Sequence, residues 1–218
     1  MSVPSFEQLM QGFGVVTVMN VCIYEKIGTY TNSAACCHVG DGDEAFTPAD
    51  WKATGETIDT LKIANITQEG PTKTISGGQY ANPLIKYGKT ATMEMQDALG
   101  RASTMVRFFG CDYSEEKKRL SITDKFPGPF AMEGTTFFID QKTGEKKWVY
   151  ITIPQFIPDA ILTLTQDAEG DATVFDLNGT LGVTRISDGD DDTARDIFYE
   201  IREESFFHGK TTDEPVAG

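Results

Sequence analysis

Histidine and cysteine are scarce in this chain, two and four residues among 218. That scarcity excludes most nucleophilic and metal chemistry at the outset. A nucleophile needs a base within hydrogen-bond reach, and the only imidazoles belong to His38 and His208. Cys36-Cys37-His38 sets thiols beside an imidazole, but adjacency along the chain does not give the geometry of a catalytic pair. Structural zinc sites place paired ligands two to four residues apart, twice. No CxxC is present, so this triplet with Cys22 or Cys111 does not make such a set. Adjacent Cys36 and Cys37 also do not resemble a secreted disulfide framework, and reduced thiols are expected.

Phosphate-binding loops are missing too. Gly209-Lys210-Thr211 lacks the upstream glycine, because position 204 is Glu, and Gly12-Phe13-Gly14 ends at Thr17 without completing a dinucleotide fingerprint. Asp188, Asp190 and Asp192 stand at the first three ligand positions of a calcium loop. Thr193 then replaces the required Gly, and Tyr199 the bidentate Glu. The expectation is a chain with no catalytic residue, no metal ligand set and no cofactor.

Two further absences bear on partners. No basic stripe of the kind that holds a phosphate backbone is present. The net charge is −14, and residues 159–218 carry 4 basic and 15 acidic residues. An acidic surface either keeps the protein soluble or lets a polyanion slide past without sticking. The apolar run from Val15 to Ile23 is broken by Asn20 and too short to span a bilayer. Met1 to Met10 lacks a basic n-region, so a protein made and kept in a cytoplasm, with no membrane insertion, is expected.

What is present is strand after strand. Val15 to Tyr24 reads as a first strand, and Gly28 to Asp50 as a long polar loop of the length usually kept for function. Ile58 to Thr67 resumes strand character. Glu69-Gly70-Pro71 makes a turn, and Thr72 to Ser76 returns as a hairpin, giving a loop-and-hairpin arm over residues 28–76. Thr90 to Gln96 alternates, with Ala91, Met93 and Met95 on one face and Thr92, Glu94 and Gln96 on the other. Asp97 is placed to cap a helix whose apolar stripe is Leu99, Ala102, Met105, Val106 and Phe109, with Gly110 at its end.

Thr135 to Asp140 and Lys147 to Phe156 flank the hairpin turn Lys142-Thr143-Gly144-Glu145. The second strand is apolar on both faces, and Pro154 and Pro158 confine its end to an edge or bulge. Ile161 to Thr165 alternates. So does Thr173 to Thr184, with Phe175, Leu177, Leu181 and Val183 against Asp176, Asn178, Thr180 and Thr184. Asp188 to Asp192 is an acidic loop, and residues 205–218 read as a flexible tail. The sum is a single mainly β (α+β) domain over residues 1–218: a β-sandwich or partial barrel with one flanking helix.

Ile75 to Leu99, ISGGQYANPLIKYGKTATMEMQDAL, resembles the core signature of major tail tube proteins of long, non-contractile (siphovirus-type) bacteriophage tails. Its order is a strand ending at a Gly-Gly corner, an Asn-Pro turn, an alternating strand, and a helix opened by Asp-Ala-Leu and closed by Gly. Gly170 to Leu177, GDATVFDL, is similar to that family's strand before its final β element. Together the similarities span roughly Ile58 to Thr184. The Gly28 to Asp50 loop and the end beyond Asp188 match nothing in the pattern.

The resemblance implies a tail-tube fold without enzymatic activity. It implies a structural protein that forms hexameric rings, stacked into a tube through which genome DNA passes unbound. Its partners would be further copies of itself and the tail terminator, tape measure and distal tail proteins. It would be assembled in the host cytoplasm and reside in the virion tail. Ile75, Gly77, Gly78, Tyr80, Asn82, Pro83 and Leu84 become candidate subunit-contact residues. Glu94 and Asp176, on polar strand faces, become candidate lumen residues. The same fold serves tubes of contractile tails and of secretion systems. From a different class, a monomeric β-sandwich binding module would use the Gly28 to Asp50 loop as its contact.

Overall fold

The structure, a computed structural model, describes residues 13–15, 19–26, 47–70, 72–74, 84–86, 88–97, 100–140, 144, 146–162, 175–189 and 193–207. The strands are β1 (Phe13–Val15), β2 (Met19–Lys26), β3 (Trp51–Ile58), β4 (Leu61–Glu69), β5 (Thr72–Thr74), β6 (Leu84–Lys86) and β7 (Thr90–Asp97). Helix α1 (Ala102–Phe109) follows, then β8 (Asp112–Ser114), β9 (Arg119–Ser121), β10 (Phe130–Asp140) and β11 (Lys146–Pro158). The chain closes with β12 (Phe175–Asp176), β13 (Gly179–Leu181), β14 (Thr184–Ile186), β15 (Arg195–Ile197) and β16 (Glu200–Arg202).

Ten strands form one antiparallel sheet that curls into a half-barrel. Its spine is the β10–β11 hairpin, in register from Ile139 opposite Lys146 to Phe130 opposite Phe156. Gly144, at φ 72°, supplies the left-handed residue that the connecting turn needs. A register shift separates the Phe130–Phe156 pair from Met132–Ile153, and Pro154 falls inside it, as a residue with no ladder N–H must. β2 and β1 pair the far edge of β10; β16 and β13 pair the far edge of β11. β13 leads on to β7, and β7 to β4.

The sheet ends at β3 on one side and β4 on the other, although only Asp59 and Thr60 separate them in sequence. The sheet therefore curls until its two ends meet at that corner. Helix α1 fills the hollow. It buries Thr104, Met105, Phe108 and Phe109, and Phe108 packs edge-on against Phe130 at 5.1 Å between ring centroids. Arg107 reaches Glu56 at 2.8 Å, and Arg101 pairs with Asp59, so the helix is also tied to the corner from outside.

Several expectations are corrected. Asp97 does not cap the helix. It is the buried last residue of β7 and accepts the Thr60 hydroxyl. Arg101 stands at the N-cap position without a side-chain cap bond. The ladder continues through Asp97, which pairs with both Leu61 and Phe175, and the carboxylate is committed to the corner. The buried stripe is Thr104, Met105, Phe108 and Phe109, which leaves Val106 39% exposed. Gly110 does end the helix, at φ 67° with its N–H directed to the Met105 and Val106 carbonyls.

β4 does not fold back onto Thr72 to Ser76. Its partner is β7, and β5 pairs β6 instead. The strand from Thr173 to Thr184 is broken into β12, β13 and the start of β14, and Gly182 shifts the alternation so that Thr184 is buried. Ser205 and Phe206, expected in a flexible tail, are core residues, and residues 208–218 lie outside the described residues. Ile161 is exposed and outside any strand. Most of the Gly28 to Asp50 loop lies outside the described residues.

Candidate assembly surfaces

Three features of this fold bear on what it can do. The first is a β-ribbon. β4 and β7 pair from Leu61 opposite Asp97 out to Glu69 opposite Thr90. Three residues further out, Thr72 faces Lys86 as β5 and β6 take over. Gly70 lies against Lys89 between them, where an added Cβ would be 3.7 Å from the lysine Cγ. The β5–β6 ladder thus follows the β4–β7 ladder on the same two stretches of chain, as a separate two-stranded sheet. Within the expected arm over residues 28–76, the described strands β4 and β5 pair β7 and β6 rather than each other, and most of the remainder lies outside the described residues. Of the candidate contact residues, Leu84 opens β6 opposite Thr74. Ile75, Gly77, Gly78, Tyr80, Asn82 and Pro83 lie outside the described residues.

The second feature is the outer face of the sheet around β7. Alternation puts Thr90, Thr92, Glu94 and Gln96 outward while Ala91, Met93 and Met95 go to the core. On one side β4 sets Asn65 opposite Glu94 and Thr67 opposite Thr92. On the other, Asp176 faces Gln96 and Thr180 faces Thr92. Gln96 Nε2 donates to Asp176 Oδ1 at 3.0 Å. Glu94 and Asp176, nominated separately from sequence, therefore share one polar face. Glu69 extends it, and none of Asn65, Thr67, Glu69, Thr90, Thr92, Glu94, Gln96, Asp176 and Thr180 is a base.

The third feature is unpaired strand edge. Among the described residues, β3 pairs only β2 and β4 pairs only β7. Each leaves a row of backbone donors and acceptors, which a protein must cover or pair.

Chemistry for catalysis is thin among the described residues. Burial pushes the Cys22 and Cys111 thiols up, so neither is a ready thiolate. Cys36, Cys37 and His38 lie outside the described residues. No group of three or more His, Cys, Asp or Glu among the described residues is placed to hold a metal. Asp188 is instead held by arginines: Arg202 Nη1 donates to one oxygen at 2.7 Å and Arg195 Nη1 to the other at 3.0 Å. Arg195 also grips Glu200 through Nε and Nη2, at 2.9 and 2.7 Å. Burial alone would raise the Asp188 carboxyl. The hydrogen bonds and charges of Arg202 and Arg195 outweigh it and hold the group below its ordinary value. No helix of the described residues is long and apolar enough to cross a membrane.

Sequence reasoning missed two further features. One is the buried Glu133, which takes bonds from Thr152, Ser205 and the Phe206 amide and so fixes the last described segment onto β10. The other is a cluster of exposed apolar residues between Val106 and Phe126. Phe126-Pro127-Gly128-Pro129 was its visible signal, an aromatic in a stretch that can form neither helix nor ladder.

Residues 106–195 match the model of the YomU/Tube protein family. The match covers less than half of the chain, from within α1 to the first residue of β15, and points to a phage tube-like protein. No curated protein matches the chain.

Proposed function

We propose that this chain is the major subunit of the tail tube of a long-tailed, non-contractile bacteriophage. Copies close into hexameric rings, the rings stack, and genome DNA passes down the channel during ejection. The protein then acts by geometry, and no reaction is assigned to it. Its partners are other copies of itself and, at the two ends of the tube, tail terminator and distal tail proteins, with a tape measure protein inside during assembly. Its place is the virion tail, after assembly in the host cytoplasm.

The observation that carries this reading is the polar face that Asn65, Thr67, Glu69, Thr92, Glu94, Gln96 and Asp176 share, none of them a base, taken with the family match over 106–195. A DNA channel must not bind phosphates, and each cation on its wall would add a salt-sensitive attraction. A wall of threonine, asparagine, glutamine and carboxylate offers hydration without attraction. The unpaired edges of β3 and β4 support it further. Left open they invite uncontrolled pairing; ring closure satisfies them. The β5–β6 ladder, paired outside the main sheet, gives each subunit a further element with which to reach a neighbour.

Negative-stain microscopy of the purified protein over a wide concentration range tests the proposal. Rings or tubes of uniform width with a central channel are expected. A stable monomer at every concentration overturns it, and favours a β-sandwich binding module instead.

A further inference from the structure

Five of the seven large apolar residues exposed on the described surface fall in one short stretch: Val106, Tyr113, Leu120, Ile122 and Phe126. Phe126 is 86% exposed, more than any of the others. The stretch folds back on itself. Tyr113 and Leu120 face each other across the β8–β9 ladder, and the Thr123 hydroxyl donates to the Gly110 carbonyl at 2.6 Å, folding the following loop back onto the end of α1. Val106 and Tyr113 also line, with Pro127, Gly128 and Pro129, a cavity of about 770 Å³. A projecting aromatic beside a hollow is the form of an interaction surface, not of a solvated loop.

Charge indicates what covers it. At the tip of the β8–β9 hairpin, Lys117-Lys118-Arg119 is the longest uninterrupted cationic run in a chain of net charge −14, and all three are exposed. Glu115 and Glu116 precede it, so the contrast lies in the run itself. The opposite sign collects around β14 to β16. There Arg195 and Arg202 are committed to Asp188 and Glu200. Asp196, Glu203 and Glu204 remain exposed, with Arg185 reaching Asp196 only at 4.0 Å and Lys147 pairing Glu203. The two surfaces are separated along β11. Phe108 of α1 packs on Phe156, while β16 pairs Tyr150 to Thr152, a separation of roughly 13–20 Å at strand spacing.

We propose that the Val106 to Pro129 outcrop of one copy docks onto the β14–β16 face of a second copy. The Lys117 to Arg119 run then meets Asp196, Glu203 and Glu204, and Phe126 is the apolar anchor. The inference rests on the tube reading and names one contact within it. Used head to tail, two different, separated surfaces propagate into a ring or a filament. The stretch that matches the tube family begins at this outcrop and ends at Arg195, beside the acidic face.

The test is a charge exchange read by sedimentation velocity and negative-stain microscopy, with circular dichroism as the check on folding. Lys118→Glu with Arg119→Glu should raise the concentration needed for assembly by about tenfold or more, as loss of an interface anchor does. Glu203→Lys with Glu204→Lys should do the same, and so should Phe126→Ser. Combining the two charge reversals should recover most of the loss. Variants that are folded and assemble like the wild type overturn this contact while leaving the tube reading intact. Folded single-side variants that fail, with a combination that fails equally, overturn the pairing of these two faces. A wild type that never assembles overturns the tube reading itself, and this contact with it.

Discussion

The main-chain N–H of Phe206 donates to Glu133 Oε1 at 2.9 Å, joining residues 73 apart in sequence. Glu133 lies mid-way along β10, 4% exposed, and the Thr152 hydroxyl donates to the same oxygen at 2.9 Å. Ser205 Oγ donates to the other oxygen. A buried carboxylate is costly unless its lone pairs are engaged, and here three donors engage it. Around this bond the aromatic rings close a second small core: Phe207 stacks on Tyr24 at 4.0 Å and meets Phe206 edge-on at 5.2 Å.

Glu133→Ala therefore leaves two hydroxyls and one amide buried without their acceptor. The expected loss is roughly 2–4 kcal/mol of unfolding free energy, measured by urea denaturation. Truncation gives the companion result. Removing residues after Phe207 should leave the melting temperature nearly unchanged, whereas removing residues after Glu204 should lower it by about as much as Glu133→Ala. Equal stability of the two truncations would show that this segment does not hold β10.

Local pattern made much of the fold legible. Val149, Ile151 and Ile153 at period two, with a Lys-Thr-Gly-Glu turn, located β11 and its hairpin; strict alternation located β7 and its outward Glu94. The features that escaped are tertiary. Nothing near Ser205-Phe206-Phe207 announces a partner 73 residues earlier. Asp97 before Ala98-Leu99 has the appearance of a helix cap, and only the Thr60 hydroxyl and the Leu61 and Phe175 pairings keep it in the strand. β3 was missed because only its two ends, Trp51 and Ile58, are buried, with a left-handed Gly55 between them. The β4–β7 ribbon was misread because pairing follows hydrogen-bond register across the sheet and the nearest turn in sequence does not set it.

Phe108 is the side chain through which α1 fills the half-barrel, in contact with Phe130 and Phe156. Phe108→Ala should cost roughly 3–5 kcal/mol through lost burial and the cavity left behind. Thermal unfolding should show a large drop with the transition still cooperative. A loss below about 1 kcal/mol would mean that the helix does not pack as an integral core element.

Asp188 gives a pH dependence with a definite sign. Its carboxyl is held below its ordinary value by Arg202 and Arg195, against the opposing effect of burial. A depressed folded-state value means the stabilisation is fully present above the unfolded aspartate value and is lost as pH falls through the folded one. The group is partly exposed, so the effect is small, about 1 kcal/mol after allowance for solvent screening. Wild type should be more stable than Asp188→Asn at neutral pH, and the difference should close only in strong acid. A difference that stays constant down to the lowest pH at which the protein folds would show that the ion network contributes nothing there.

Glu94 and Asp176 lie on one face with Asn65, Thr67, Glu69, Thr92, Gln96 and Thr180, all neutral or acidic. If that face lines the channel, its charge sets whether DNA slides or sticks. Glu94→Lys with Asp176→Lys places two new cations in each subunit, repeated around every ring, without touching the core side of β7. Tubes of this variant should form at normal length, because neither residue contributes to the buried core. They should also retain short duplex DNA on co-sedimentation at low salt and release it as salt rises, since each phosphate contact liberates counterions. Wild-type tubes should retain none under the same conditions. Nuclease digestion separates general electrostatic adhesion from capture inside the channel. Adhesion to the outer wall would stay open to nuclease, whereas DNA held within should be protected. Variant tubes that bind no DNA, or only DNA that nuclease removes, would place this face away from the lumen and move the search to the remaining surfaces of the half-barrel.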